Sequence, residues 1–355
     1  MTEPIATRVL TVNPQHPEPE PIRTAAAVIR SGGLVAFPTE TVYGLGANAL
    51  DSAALSRIFA AKQRPTADPL IVHICDSDQI NLLAVDVPEA ARRLAREFWP
   101  GPLTLVLKRA PDVPELVALG RDTVAVRMPA HPVARALINA ADTPIAAPSA
   151  NTFTRPSATS AQHVLDDLGG RIELVLDGGD APIGVESTVV DLTQTPPVVL
   201  RPGGVLMDDL RRVIPDVQAR TQYLSEDQAP DAASPGMMLK HYSPRARVML
   251  FDGAADIVRV AIKDTAQRLI ANQKKVGILA TDEEAGGYTH LGARILALGS
   301  ENALDVIARR LFGAMRALDA QHVDVILVHG FGKEGLGAVI WDRLVRAAEG
   351  RVITV

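Results

Sequence analysis

Residues 103–129, LTLVLKRAPDVPELVALGRDTVAVRMP, decide the fold class of the first half of the chain. Two runs within this stretch, LTLVLK and TVAVRMP, are short and rich in Val, Leu and Thr, which is typical of buried strands. No regular crossover helix separates them, although parallel strands in a doubly wound sheet require one. The spacing therefore favours a mixed sheet over a simple doubly wound one.

A mixture of short strands and helices is predicted from residue 22 to about residue 204. Further strands are predicted by LVAFPT (34–39), PLIVHI (69–74), IELVLDG (172–178) and STVVDLT (187–193). Helices are predicted by TAAAVIRSGG (24–33), SAALSRIFAAKQ (52–63), residues 87–98, HPVARALINAA (131–141) and SAQHVLDDLGG (160–170). Asp51 or Ser52 is a plausible N-cap for the second of these helices. The arrangement favours an α+β or twisted mixed sheet.

The last third of the chain alternates strands and helices regularly. Strands are predicted by RVMLFDG (247–253), KKVGILAT (274–281), ARILALGS (293–300), VDVILVHG (323–330) and RVITV (351–355). Helices are predicted by AADIVRVAIKDTAQRLIANQ (254–273), LDVIARRLFGAMRALDAQ (304–321) and AVIWDRLVRAAEG (338–350). Such alternation predicts a smaller, Rossmann-like, parallel three-layer α/β domain.

The segment between these two regions lacks sustained periodicity and is rich in Pro, Ser, Asp and Gln. We therefore predict a domain at 1–205, a linker at 206–245 and a second domain at 246–355. The linker ends in SPGMMLKHYSP (234–244), which concentrates Met, Lys, His and Tyr between two Ser-Pro turns. The sequence alone slightly favours a domain-joining loop over a loop that closes on a site.

Composition and charge exclude several classes of protein. The 36 Lys and Arg residues against 41 Asp and Glu give a net charge of -5, which weighs against a protein that mainly grips nucleic acid. The lone Cys75 excludes an internal disulfide or a Cys-x-x-Cys metal site and fits a reducing cytoplasm. The chain shows neither a signal peptide nor an apolar stretch of about 20 residues, so we expect a soluble, cytoplasmic protein.

Three common catalytic motifs do not fit the sequence. Gly330, Gly332 and Gly335 match G-x-G-x-x-G, but no acid for a ribose follows at the required distance, so a turn is the better interpretation. No histidine pair has the helical spacing of a zinc site. A triad of Ser149, His73 and Asp191 lacks the G-x-S-x-G elbow, which disfavours a hydrolase.

Two cations in KQRPTADPLIVHI (62–74) stand at the mouth of a predicted strand. Pro65 disfavours helical geometry at Arg64, so the preceding helix should end nearby. Lys62 and Arg64 would then project to the same side of an extended segment and could straddle a triphosphate. The alternative is a solvated helix end whose cations favour the helix dipole. This motif alone does not decide between the two.

Other polar turns of the first domain favour a ligand-binding site. FPTETVYGLG (37–46) places hydroxyls and bare backbone at a strand end, where a small zwitterion could be held. Arg127 lies inside an apolar strand, so it must be paired or directed into a cavity. APSANTFTRPSATS (147–160), GVESTVVDL (184–192) and LRPGGV (200–205) add further polar or cationic turns. Together these corners predict an anion-binding cavity.

Seven short motifs follow one another between residues 20 and 205. They are PTETVYGLG, KQRP with PLIVHI, PGPLT (100–104), VAVRMP (124–129), APSAN (147–151), ESTVVD (186–191) and LRPGG (200–204). Together they resemble the YrdC/Sua5 family of L-threonylcarbamoyladenylate synthases. SPGMMLKHYSP and the C-terminal α/β domain resemble the longer, two-domain Sua5 form. The resemblance implies a YrdC-like twisted mixed sheet around a central cationic cavity.

The resemblance also implies an activity. Such enzymes condense L-threonine, bicarbonate or CO2 and ATP to threonylcarbamoyl-AMP and pyrophosphate. A separate transferase complex then makes N6-threonylcarbamoyladenosine at position 37 of tRNAs that read codons beginning with A. Mg2+ is expected to arrive with ATP, and neither a protein-bound metal nor a tightly bound cofactor is expected. No membrane partner and no strong direct nucleic-acid binding are expected.

The resemblance assigns site residues by position in the motifs. Lys62 and Arg64 are the implied catalytic residues and also hold ATP phosphates. Further implied ATP contacts are Asp68, Thr123, Ser149, Asn151, Ser157, Arg201 and Tyr242. Implied L-threonine contacts are Thr41, His73, Arg127, Ala147 and Ser187. Asp68 stands where family members often carry Asn, and Lys240 and His241 would accompany Tyr242 in capping the site.

Two alternatives belong to other classes of protein. An RNA-binding module would use the cavity cations to grip a duplex backbone, and its affinity would depend strongly on salt without ATP turnover. A regulatory protein would only sense a nucleotide or an amino acid in the cavity. The acidic net charge speaks against the first alternative.

Overall fold

The computed structural model describes residues 5–65, 68–220, 239 and 242–355. Contacts between Cα atoms divide the chain into two compact units. The first unit comprises Met1–Phe153 and Ser157–Met237, and the second comprises Thr154–Pro156 and Met238–Val355. Among the described helices, none combines the length and hydropathy needed to cross a bilayer.

The described part of the first unit is built on an 11-stranded sheet. Its strands are β1 (Arg8–Thr11), β2 (Val35–Phe37), β3 (Gly44–Asn48), β4 (Ile71–His73), β5 (Leu103–Lys108), β6 (Thr123–Arg127), β7 (Ile145–Ala146), β8 (Leu174–Asp177), β9 (Thr188–Asp191), β10 (Val198–Arg201) and β11 (Gln218–Ala219). The spatial order is β1-β8-β2-β3-β7-β4-β6-β5-β9-β10-β11. Because β4 and β6 pair parallel while β5 and β6 pair antiparallel, the predicted mixed sheet is confirmed.

Helices cover both faces of this sheet. They are α1 (Pro19–Arg30), α2 (Ser52–Lys62), α3 (Ile80–Leu83), α4 (Glu89–Phe98), α5 (Glu115–Ala118), α6 (Pro132–Ala141), α7 (Ala161–Leu168) and α8 (Met207–Val213). Successive residues of a strand face opposite sides, so Phe37 of β2 joins a core with α1 and α6, whereas Ala36 joins the core that contains α2, α4 and α7. Asp51 caps α2 by accepting from the backbone N–H of Ala53 at 2.8 Å, as the sequence predicted.

The structure differs from the sequence prediction in the range 206–245, which we expected to be a linker. Helix α8 and strand β11 lie in its first part, and Leu210, Ile214 and Val217 are buried in the core of the first unit. Helix α8 is short, and its three apolar residues extend past its C-terminal end. They form no long periodic run, so the sequence resembled a linker. Residues 221–238 and 240–241, with most of SPGMMLKHYSP, lie outside the described residues.

The second unit is the parallel α/β domain that the alternation predicted. Its elements are β12 (Arg247–Asp252), α9 (Ala255–Ala271), β13 (Val276–Ala280), α10 (Asp282–Ala285), β14 (Arg294–Ala297), α11 (Leu304–Ala320), β15 (Val325–His329), α12 (Gly335–Ala347) and β16 (Val352–Thr354). The sheet order is β14-β13-β15-β12-β16, and every pair is parallel.

Helices lie on both faces of the second sheet. Ile278 of β13 packs with Val258 and Ile262 of α9, whereas a Cβ built on the adjacent Gly277 would lie 2.9 Å from Leu318 of α11. Since adjacent strand residues face opposite sides, the two helices cover opposite faces. The GFGKEG segment connects β15 to α12 as a turn, in agreement with the interpretation from sequence.

Candidate active site

The KQRP corner directs both of its cations inward. Lys62 is 1% exposed, and its Nζ donates to the backbone carbonyl oxygens of Ser149 and Asn151, each 2.5 Å away. Arg64 is buried, and its Nη2 lies 2.8 Å from the Oδ2 of Asp68. The alternative of a solvated helix end is therefore wrong.

The backbone that carries these cations differs from the extended segment predicted. Lys62 is the last residue of α2, and Gln63 adopts a left-handed conformation with φ 54°. The N–H of Arg64 then donates to the carbonyl of Phe59, which ends the helix in a Schellman-type turn ahead of Pro65. The two cations are thus separated by a sharp turn instead of sharing one face of an extended chain.

A cross-strand row of polar residues lies at the ends of β4, β6 and β5. His73 pairs with Arg127, and Arg127 pairs with Thr104, so the three side chains share one face of the sheet. Arg127 is 4% exposed, and its Nη2 lies 2.6 Å from Oε1 of Glu40, while Nη1 donates to Oγ1 of Thr41 at 2.9 Å. The buried arginine is therefore paired, as its position in an apolar strand required.

His73 is held neutral in this row. Burial, together with the positive charge of Arg127, lowers its pKa to about 3. Its Nδ1 lies 3.2 Å from the carbonyl oxygen of Ile71, which accepts a hydrogen bond in the tautomer that carries the proton on Nδ1. A neutral His73 can therefore contact a ligand by hydrogen bonding but adds no charge to the site.

Ser187 connects the row to Arg201. Its Oγ lies 2.8 Å from Oγ1 of Thr104 and accepts from Nη2 of Arg201 at 3.1 Å. The close approach depends on Gly203, because a Cβ built there would lie 2.3 Å from the carbonyl oxygen of Glu186. Glycine in LRPGG therefore lets one backbone pass directly against the ESTVVD segment.

The KQRP cations, the cross-strand row and Ser187 with Arg201 form one polar cluster. The APSAN turn and Ser157 form the neighbouring part of this cluster. Asn151 is 1% exposed and Ser157 is fully buried, and Oγ of Ser157 donates to Oε1 of Glu186 at 2.5 Å. The backbone N–H of Ala150 donates to the carbonyl of Tyr43, whose own N–H donates to Ala158. These backbone bonds bring PTETVYGLG, APSAN and the Ser157 loop together, as the predicted cavity requires.

Two of the predicted residues, Thr123 and Ala147, lie apart from this cluster or at its margin. Thr123 begins β6, four residues from Arg127 and thus about 13 Å along the strand. It lines a different pocket, of about 390 Å³, with Lys108 and Thr193. Ala147 follows β7 and donates its N–H to the carbonyl of Ile71. These residues' ligand contacts stay predictions.

Tyr242 belongs to the second unit. It is buried there, with its ring 5.1 Å from that of Phe312 and 5.3 Å from the guanidinium carbon of Arg343. Its neighbours Lys240 and His241 lie outside the described residues. The predicted contact of Tyr242 with ATP therefore stays a prediction.

The sequence assigned no role to three residues that complete the cluster. Glu40 and Glu186 supply buried carboxylates, and Thr104 supplies a buried hydroxyl. The available signal was the presence of an acid in each of two short motifs otherwise made of hydroxyl and apolar residues. Within the described ranges, no group of three or more His, Cys, Asp or Glu side chains is arranged to hold a metal ion.

Comparisons with known proteins agree along almost the whole chain. A family profile described as telomere recombination matches residues 27–203, and the profile of the threonylcarbamoyl-AMP synthase C-terminal domain matches residues 205–349. Threonylcarbamoyl-AMP synthase of Pyrococcus abyssi is 48% identical over 94% of this chain and 96% of its own length. The Bacillus subtilis enzyme of the same name is 43% identical over 94% of each chain.

A solved structure adds a match in three dimensions. The crystal structure of P. abyssi Sua5 complexed with L-threonine has a TM-score of 0.91 and 45% identity, over 98% of this chain and 100% of that chain. Relatives that match this two-unit chain over most of its length are threonylcarbamoyl-AMP synthases, so the chain is a nucleotidyltransferase-type enzyme. The chain belongs to the threonylcarbamoyl-AMP synthase family, in its two-domain Sua5 form.

Proposed function

We propose that the first unit condenses L-threonine, bicarbonate or CO2 and ATP into threonylcarbamoyl-AMP and pyrophosphate. The observation that carries this proposal is the position of Lys62, an almost fully buried cation at the Ser149–Asn151 turn. The carbonyl oxygens of Ser149 and Asn151 hold this cation in a fixed position, and a fixed positive group beside a polar turn suits a nucleotide phosphate.

The cluster divides into two subsites. Arg127, with Thr41, His73, Ala147 and Ser187, binds L-threonine. Arg64 and Lys62 bind phosphate and carbamate charge and are the catalytic residues. The remaining nucleotide contacts within the cluster are Asp68, Ser149, Asn151, Ser157 and Arg201. Thr123 and Tyr242 are further predicted nucleotide contacts that lie outside the cluster. The relative crystallised with L-threonine supports an amino-acid subsite in this fold.

The reaction needs positioning and charge neutralisation more than a covalent nucleophile. The threonine nitrogen, once deprotonated, bonds to CO2 to give a carbamate, whose oxygen attacks the α-phosphorus while pyrophosphate leaves. Fixed cations that meet the developing negative charge lower the barrier to such a displacement. Mg2+ enters as part of the substrate, bound through the ATP phosphates.

The product feeds a separate transferase that forms N6-threonylcarbamoyladenosine at position 37 of tRNAs reading ANN codons. The names of the relatives specify the product, threonylcarbamoyl-AMP, and the transfer to tRNA is part of the proposal. The single cysteine supports a reducing compartment such as the cytoplasm.

Pyrophosphate release, measured with each substrate omitted in turn, tests the proposal. Release should require ATP, L-threonine and bicarbonate together, and Lys274→Ala, at an exposed lysine of the second unit, should release it at the wild-type rate. Release without threonine, or salt-sensitive RNA binding without any release, would contradict the proposal.

A further inference from the structure

Glu40 has one carboxylate oxygen without a hydrogen-bond partner. The residue follows β2 in the PTET motif and is 7% exposed. Its Oε1 lies 2.6 Å from Nη2 of Arg127, while its Oε2 is buried and has no partner among the described residues. A buried acceptor left in this state is destabilising, so it indicates a donor that the described residues do not supply.

Arg127 has N–H donors that find no acceptor among the described residues. Its Nε donates to the carbonyl of Gly101, Nη1 to Thr41 and Nη2 to Glu40. A guanidinium carries five N–H groups, so within the described part of the chain one donor on each terminal nitrogen is left over. The pair therefore offers a negative acceptor beside two positive donors.

The geometry of the pair argues against a purely structural ion pair. A buried arginine and carboxylate that serve only each other commonly use two parallel hydrogen bonds, which satisfy both oxygens. Glu40 instead engages Arg127 through Oε1 alone. An α-amino acid carries its ammonium and its carboxylate on the same carbon, so it fits an acceptor and donors that are side by side.

We propose that Oε2 of Glu40 accepts a hydrogen bond from the ammonium group of bound L-threonine while Arg127 binds its carboxylate. Glu40 then selects an α-amino acid over the acid that lacks the amine, and it holds the nitrogen that becomes carboxylated by CO2. The inference rests on the amino-acid subsite of the proposed function and adds a residue to it.

Calorimetric titration of Glu40→Gln with two ligands tests the inference. L-Threonine has the ammonium, and (R)-3-hydroxybutyrate is the same molecule without it. Wild-type protein should prefer threonine on the order of 10- to 100-fold, the range for a hydrogen bond to a charged group. Glu40→Gln should lose most of that preference while its affinity for hydroxybutyrate and ATP stays within about twofold of wild type.

The second ligand separates the inference from a structural role. If Glu40 only holds Arg127 in place, Glu40→Gln weakens both ligands equally and the preference persists, which overturns the inference. Glu173→Gln is the matched control, because Glu173 pairs with Arg57 away from the cluster. Absence of threonine binding to the wild-type protein would instead refute the proposed function.

A second variant covers the case in which Glu40→Gln does not fold. Glu40→Asp keeps the negative charge beside Arg127 but withdraws the free oxygen by about one methylene length, roughly 1.5 Å. Its preference for threonine should fall between those of wild type and Glu40→Gln, and its KM for threonine should rise while its KM for ATP does not. A wild-type preference in Glu40→Asp would also overturn the inference.

Discussion

Replacing His73 with Gln should make the first unit more resistant to acid. His73 is neutral in the folded state because burial and the charge of Arg127 lower its pKa to about 3. In the unfolded chain its pKa returns to 6.5, so the unfolded state alone binds a proton between these values. Stability from the neutral His73 is therefore complete above pH 6.5 and is lost as the pH falls toward 3.

The magnitude follows from the two pKa values. One pKa unit corresponds to 1.36 kcal/mol, so the full difference is about 5 kcal/mol, and the part lost between pH 7 and pH 5 is about 2 kcal/mol. Glutamine at this position does not titrate. The fall in the free energy of unfolding between pH 7 and pH 5 should thus be about 2 kcal/mol smaller in His73→Gln than in wild type.

Urea unfolding at a series of pH values measures this difference. Trp99 reports on the first unit once the second tryptophan is removed by Trp341→Phe, since the chain has two. His16→Gln is the control, because it makes the same substitution at an exposed histidine. An identical pH dependence in wild type and His73→Gln would refute the argument that His73 is buried and neutral.

Three further substitutions test local features of the first unit. Lys62→Met should abolish threonine-dependent pyrophosphate release and reduce stability by about 1–3 kcal/mol, because two buried carbonyls lose their donor; full activity in a pyrophosphate assay would contradict it. Gly203→Ala should reduce the free energy of unfolding by about 1–3 kcal/mol and so lower the melting temperature, since its Cβ would lie 2.3 Å from the carbonyl oxygen of Glu186. An unchanged melting temperature would count against this close approach. Asp51→Ala should remove about 1 kcal/mol in urea unfolding through loss of a helix cap while turnover stays at the wild-type rate; reduced turnover would show a role beyond capping.

The sheet was predictable where strands are made of long apolar residues. LTLVLK and TVAVRMP became β5 and β6 because buried strands favour Val, Leu and Thr. Strand β3, with the sequence GLGAN, resembled a turn because it contains two glycines. The structure explains Gly46 by packing, since a Cβ there would lie 2.7 Å from the ring of Phe37. Glycine selected by crowding cannot be distinguished in sequence from glycine selected by a turn.

The site was predictable in its residues but not in its pairings. An arginine in an apolar strand required a partner or a cavity, and the sequence could not show that Glu40 is that partner, because 87 residues separate the two. The position of Arg64 depends on a left-handed Gln63, a conformation that residues other than Gly adopt infrequently. The first feature arises from a tertiary contact and the second from an uncommon local conformation, so local propensity predicts neither.

The apolar residues of α8 and its exit bear on how the enzyme can be dissected. A truncation near residue 205, where the first family profile ends, would remove Leu210, Ile214 and Val217 from the core that they complete. The exposed hydrophobic patch would make such a fragment prone to precipitate during expression. A soluble catalytic fragment should instead retain the chain through Ala219, so that protease digestion or gene design aimed at separating the halves has to begin beyond β11.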